Sequence, residues 1–205
     1  RWERPVTYPF QHILFINATP ETVLVSGTYN KTVGDAVQVF YRLLACRAEN
    51  GKPMWEQTFR ATNIRGTDLT DPGGTHGENW QHPVILGGTV YARPHAFDLR
   101  TGEQREYMLY RGGHGCGGLT ASAHYLYGRG GNPRAYPTNV SRTEGIPLTR
   151  VNRPGCWLNI IPAGGLVLIP ESSSGCTCAY PIQTSLALAP RAWAAPPNAR
   201  LACRP

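Results

Sequence analysis

The sequence has no apolar heptads, no long hydrophobic run and little lysine, and each shortage removes a class of protein. Without heptads there is no coiled coil, and without an apolar stretch of about 18 residues no helix can span a bilayer. The 20 basic residues are nearly all arginine and stand singly, at Arg60, Arg65, Arg93, Arg111, Arg129 and Arg142 among others. A net charge of +7 and a pI near 9.3 attract anions, but a nucleic acid is held by basic groups clustered along one face, and that clustering is missing. No nucleic-acid partner is expected; the scatter describes a solvated basic surface able to attract acidic glycans or a membrane surface. The 13 acidic residues are mostly isolated, and so offer no cluster suited to Ca²⁺, which takes about six to eight oxygen ligands. The haem-attachment run Cys-x-x-Cys-His is missing as well. The glycine-rich stretch RGGHGCGG, residues 111–118, lacks the Lys-Ser/Thr and the helix that a phosphate-cradling loop requires, so its glycines serve turns and close strand approach.

Glycine (23) and proline (18) are abundant, with aromatic residues at 10% and hydrophobic residues at 41% of the 205 positions. This is too apolar for a disordered tail and too rich in turn formers for long helices, and the length suits one all-β domain with a real core. Six cysteines, Cys46, Cys116, Cys156, Cys176, Cys178 and Cys203, make an even set; in such a chain they favour disulfides and a periplasmic or extracellular location. Among many connectivities the expected pairs are Cys116 with Cys156 and Cys176 with Cys178, with Cys203 tying the tail to Cys46. The chain opens on Arg1 without a legible leader, as processing or truncation would leave it. Asn-x-Ser/Thr at Asn17, Asn30 and Asn139 is read as chance.

A repeat organises the chain. Residues 96–107 read AFDLRTGEQREY, an alternating apolar stretch running into a Thr-Gly turn, and residues 45–55 read ACRAENGKPMW, with Ala45, Asn50-Gly51 and Lys52 where the later copy has Ala96, Thr101-Gly102 and Glu103. The period is about 50 residues, in the range of solenoids, propellers and arrays. β-rich runs precede each copy: TVLVSG and QVFYRLL before the first, PVILGGTVYARP before the second. Weaker echoes at 122–136 and 161–181 are short apolar strands bounded by Gly and Pro. The repeating unit is therefore several strands closed by one turn, over residues 1–190, followed by a Pro- and Ala-rich extended tail at 191–205.

At these residues the chain resembles the quinoprotein-like β-propeller repeat, whose blades end in Ala-x-Asp-x-x-Thr-Gly-x-x-x-Trp. Ala45, Gly51 and Trp55 fit the first copy, with Arg47 for Asp and Asn50 for Thr; Ala96, Asp98, Thr101 and Gly102 fit the second, with Glu106 in the Trp position. Residues 113–136 and 155–188 are similar to the C-terminal part of a bacterial PQQ-like subfamily. The resemblance implies about four blades of 40 to 50 residues each, belonging to a larger ring that another chain or a further part of the propeller completes. It also implies that Trp55 packs between adjacent blades. Quinoprotein dehydrogenases of this kind hold PQQ with Ca²⁺, an Asp, a Trp floor and a disulfide between adjacent cysteines. Here Cys176 and Cys178 are separated by Thr177, so no quinone is expected.

The most unusual segment is the polar loop TDLTDPGGTHGENWQHP, residues 67–83. His76, Glu78 and His82, with His95 or His114 from neighbouring strands, supply imidazole and carboxylate groups of the kind that hold a divalent metal, though their spacing matches no strong metal signature. The alternative is that each His simply ties down the loop. A polysaccharide-lyase reading would draw on His76, His82, His114, Tyr91, Tyr127 and Arg93 as base, acid and uronate partner. Neither chemistry is demanded. The favoured reading is an exported bacterial propeller serving as a rigid binding or scaffold module, in which Trp80, His82, Arg93 and Arg111 of the loops 67–83 and 111–118 and their surroundings meet a protein or an acidic glycan. A divalent metal is the one cofactor left open.

Overall fold

In a computed structural model that describes residues 2–3, 10–60, 82–109, 118–130, 132–152, 154, 158–171, 182 and 184–191, the β-rich runs form four successive antiparallel sheets. The first is a meander of β1 (His12–Ala18), β2 (Thr22–Val33), β3 (Ala36–Arg47) and β4 (Pro53–Arg60). The second holds β5 (Val84–Leu86), β6 (Thr89–Ala92) and β7 (His95–Asp98), and Gln104 bridges to Phe97 at its outer edge. After β8 (Met108–Leu109) the third sheet runs β9 (Thr120–Ala121), β10 (Tyr125–Gly130), β11 (Asn132–Pro137) and, past β12 (Arg142–Thr143), β13 (Ile146–Pro147). The fourth comprises β14 (Ile161–Ala163), β15 (Leu166–Ile169) and β16 (Leu186–Leu188). The chain is thus all-β. The tail from 192 onward, and the cysteines other than Cys46, lie outside the described residues; Cys46 itself is buried in β3.

Two-residue glycine turns explain the hairpins. The stretch 83–94, one β-rich run in the sequence, is two strands folded about Gly87-Gly88, and residues 161–169 fold the same way about Gly164-Gly165. In both pairs each glycine has positive φ, between 54° and 76°, as the tightest hairpin turns require so that the strands keep their right-handed twist.

Strand alternation sorts side chains between two neighbours. In the first sheet Leu24 lies opposite Ala45, Ser26 opposite Leu43, and Ala45 opposite Trp55, so these share one face. That face packs on Val90, Ala92 and Phe97 of the second sheet. The intervening residues of the second sheet, Tyr91 and Ala96, point the other way and pack with Leu119, Leu126 and Tyr136 of the third. The third sheet repeats the arrangement, with Tyr127 and Ala135 against Ile160 and Ile169 of the fourth. Inner sheets are therefore covered on both faces, which is why β6 is buried at every position and reads as a run without polar alternation.

The two copies of the repeat close with the same backbone turn. Arg47 N–H donates to the Lys52 carbonyl and Gly51 N–H to the Arg47 carbonyl; Asp98 N–H donates to Glu103 and Gly102 N–H to Asp98, all at 2.8–2.9 Å. Asn50 replaces Thr101 without loss, since Asn50 Oδ1 accepts from Lys52 N–H at 3.0 Å as Thr101 Oγ1 accepts from Glu103 N–H at 3.2 Å. Over each turn lies an indole. Trp55 donates Nε1–H to the Leu99 carbonyl at 2.8 Å, and a Cβ on Gly102 would stand 2.6 Å from its ring. Trp2 donates to the Ala48 carbonyl at 2.7 Å, and a Cβ on Gly51 would meet its ring at 2.6 Å. At the next seam Glu106 does not take the Trp role. Its neighbour Tyr107 does part of it, buried edge-on to Tyr91 with its hydroxyl 3.4 Å from the Pro137 carbonyl. Burial, with Tyr91 and Tyr136 nearby, pushes the Tyr107 phenol well above its ordinary pKa. The same seam is stitched by main chain, since β8 pairs in parallel with β12.

Trp55→Ala should cost about 3–5 kcal/mol in denaturant unfolding, from lost burial and the cavity left behind. Gly102→Ala should also destabilise, because its φ of +74° lies in the left-handed region, costing about 1–2 kcal/mol for an L side chain, and because the new methyl meets the Trp55 ring. A melt unchanged by both substitutions would show that the wedge carries no stability. Asp98 gives an acid limit. Its carboxylate accepts from Arg105 Nη2 at 2.7 Å and from the Thr101 and Arg100 amides, which hold its pKa at about 2, below its ordinary 3.8. The resulting stability is complete above pH 3.8 and declines as pH falls from there through about 2. Asp98→Asn should flatten that acid limb in pH-dependent melts.

Candidate functional site at the ends of the first strands

Each sheet opens with a strand, β1, β5, β9 or β14, and these opening strands are neighbours. β9 packs against both β5 and β14. Phe15 of β1 stacks on His82, just ahead of β5, with ring centroids 4.2 Å apart and planes at 28°. His82 in turn abuts Gly118, ahead of β9: a Cβ there would lie 3.1 Å from the His82 Cβ, tighter than an ordinary contact. Gly118 N–H donates to Asn159 Oδ1 at 3.1 Å, and Thr120 Oγ1 donates to the Ile160 carbonyl beside it. Four sheets thus converge on one cluster: Phe15, His82, Gly118, Thr120 and Asn159.

The loops 67–83 and 111–118 therefore end side by side, at His82 and Gly118, although 36 positions separate these residues in the chain (118 − 82 = 36). Asn17 shares a face of β1 with Phe15, and among the described residues its buried Oδ1 has no hydrogen-bond partner. Burial lowers the His82 pKa from 6.5, so the neutral ring is favoured, able to donate from one nitrogen and accept at the other. An aromatic face, a neutral imidazole and carboxamides are the groups that recognise hydroxyl-rich or amide ligands through stacking and paired hydrogen bonds.

The other candidates are distributed elsewhere. His95 begins β7, on the far side of β6 from β5, so two strand spacings, about 10 Å, separate its backbone from that of the β5 strand His82 precedes. Its ring meets Phe59 edge-on at 5.3 Å and Gln104 Nε2 at 3.2 Å, and burial lowers its pKa. Among the described residues no group of three or more His, Cys, Asp or Glu is placed to hold a metal ion. His76, Glu78, Trp80, Arg111, His114 and Cys116 lie outside the described residues. Tyr91 and Tyr127 are buried in different core clusters and do not form one acid–base constellation. Arg93 and Arg129 are not on a solvated surface: they are 5% and 3% exposed. Burial pulls the Arg93 pKa down, against the opposing influence of Tyr136 and Tyr41. Arg93 therefore has little surface with which to meet a partner.

Sequence reasoning misses Phe15, Asn17 and Asn159. Asn159 alone carries a local signal, a single amide in the otherwise apolar run Trp157 to Ile161, where an unpaired polar group would be costly to bury. Comparison of the sequence with protein-family models and with curated proteins returns no match. No helix among the described residues is long and apolar enough to cross a membrane.

Because folding lowers the His82 pKa, the neutral ring's contribution to stability is complete above pH 6.5 and is lost as pH falls below 6.5 through the folded value. An NMR titration of the imidazole should give a midpoint below 6.5, and Phe15→Ala should move it back upward by admitting water. A midpoint at or above 6.5 in the parent protein would contradict the burial described.

Proposed function

We propose that the chain is part of a quinoprotein-like β-propeller that binds a partner on the face where the opening strands begin, as a rigid platform without a quinone. The observation that carries the reading is the convergence of His82, Gly118 and Asn159, which brings the ends of both candidate loops onto a framework supplied by all four sheets. The propeller reading is supported by the succession of antiparallel sheets, each packed on the next, by the neighbouring opening strands, which in a propeller line the axis, and by the indole wedges over Gly51 and Gly102. A platform suits this construction because loops on a fixed ring face need little ordering when they bind.

The partner class is an acidic glycan or a protein. The net charge of +7 supports attraction to anions, and the Phe15–His82 stack offers an aromatic surface for a sugar ring. Export to the periplasm or beyond is supported by the even set of six cysteines. Binding without turnover is the expected activity.

The test is titration calorimetry against polyuronate and neutral oligosaccharides, with the products examined for new ultraviolet absorbance from bond cleavage. His82→Ala with Asn159→Ala should weaken binding at least tenfold, about 1.4 kcal/mol, while the fold persists by circular dichroism. Binding unaffected by that pair of substitutions, or conversion of the glycan, would sink the platform reading.

A further inference from the structure

We infer that Trp2 is the outer-strand wedge of a further antiparallel β-sheet of the same repeat, and that the outer face of the first sheet is the surface on which that sheet packs. The starting point is a rule common to two seams. A ring that ends one sheet points its polar hydrogen to a carbonyl of the next, two or three residues past a buried alanine. Trp55 does this across the first seam, from β4 to the Leu99 carbonyl, three residues beyond Ala96. Tyr107 does it across the second, to the Pro137 carbonyl, two residues beyond Ala135.

Trp2 obeys the same rule on the first sheet. It donates to the Ala48 carbonyl, three residues beyond Ala45, and its ring covers Gly51 as Trp55 covers Gly102. The sequence match extends one residue further, with Trp2-Glu3 corresponding to Trp55-Glu56. In the Trp55 case the indole belongs to the outermost strand of a four-stranded sheet whose face packs on the sheet bearing the turn. Trp2 sits in the matching place on a sheet whose outer face is equipped for the same contact. Val23 lies opposite Cys46 and Val25 opposite Leu44, which gives an apolar patch beside the turn. Val25 and Cys46 are already 8% and 2% exposed, whereas Val23 and Leu44 are half-buried. The Arg42–Glu56 ion pair occupies the same face farther from the turn.

The partner that fits is therefore an antiparallel sheet with an apolar face, its three inner strands supplied by polypeptide preceding Trp2. The repeat also fixes what that polypeptide should contain. Glycine stands four residues before Trp55 and alanine ten before it, so glycine four and alanine ten residues before Trp2 are required if the unit is the same. This conclusion rests on the wedge geometry alone and does not depend on a ligand at His82 or on closure of a ring.

The experiment compares the 205-residue chain with the product of the complete reading frame, using the upstream sequence, thermal melts and binding of a hydrophobic dye. Expected are the Gly and Ala at those two positions, a melting temperature several degrees higher for the complete product, and lower dye binding. Trp2→Ala should reduce that gain, and Trp2→Phe, which keeps the ring but not the donor, should restore part of it. A reading frame beginning at Arg1, an upstream segment without strands, or a complete product whose melt and dye binding match those of the shorter chain would overturn the inference. Chemical cross-linking of Glu3 to the β16 edge within one chain would overturn it too, by assigning Trp2 to the fourth sheet.

Discussion

An indole can lie flat on a backbone only where the residue beneath it has no side chain, and the arrangement of sheets in this chain depends on that constraint. At Gly102 the constraint is doubled, because the turn needs a positive φ and the ring needs the space a Cβ would fill. One glycine therefore serves the end of its own sheet and the packing of the sheet before it. The Trp55 contact in turn fixes which face of the first sheet turns toward the second, and strand alternation passes that choice on. Once Val90 and Phe97 face backward, Tyr91 and Ala96 must face forward.

The site follows from the same stacking. None of its groups is brought close by local sequence: Phe15, His82, Gly118 and Asn159 come from the openings of four separate sheets. Each is near its neighbour because each sheet is held face to face with the next. A cluster of this kind is stiff, since moving any member means sliding a sheet across a packed apolar seam. Gly118 N–H, Asn159 Oδ1 and Thr120 Oγ1 are engaged there, whereas among the described residues Asn17 Oδ1 is buried without a partner. A ligand that reached it would gain a hydrogen bond to an atom whose desolvation has already been met by folding.

The all-β character was legible from composition and from β-branched runs such as 22–27 and 38–44, since short strands with glycine turns leave a clear local trace. The division of 83–94 into two strands was less so, because fully buried strands lose the alternation that marks a boundary and only Gly87-Gly88 signals it. His82 stands out in the sequence as part of a polar loop, but its neighbours do not, since Phe15 and Asn159 are ordinary residues until sheet packing brings them together. Tyr107 was hidden by position: the repeat directs attention to Glu106, one residue short of the ring that bridges the seam. Arg93 and Arg129 illustrate the limit of reading charge as exposure. Their guanidinium groups are buried, and only tertiary packing determines that.

The seams between the sheets are not alike. The first has an indole and a side-chain bond from Gln57 to the Gly102 carbonyl; the second has a phenol and the parallel β8–β12 pair. Among the described residues the third has no ring over a turn; apolar contact, the short polar links of Gly118 and Thr120, and bonds from Ile182 N–H to the Val151 carbonyl and from Asn152 Nδ2 to the Thr184 carbonyl hold it. The body therefore has a grain. Pulled from its C-terminal end, it should shed β14–β16 first and surrender the tryptophan seam last, so mechanical strength would rise toward the start of the chain.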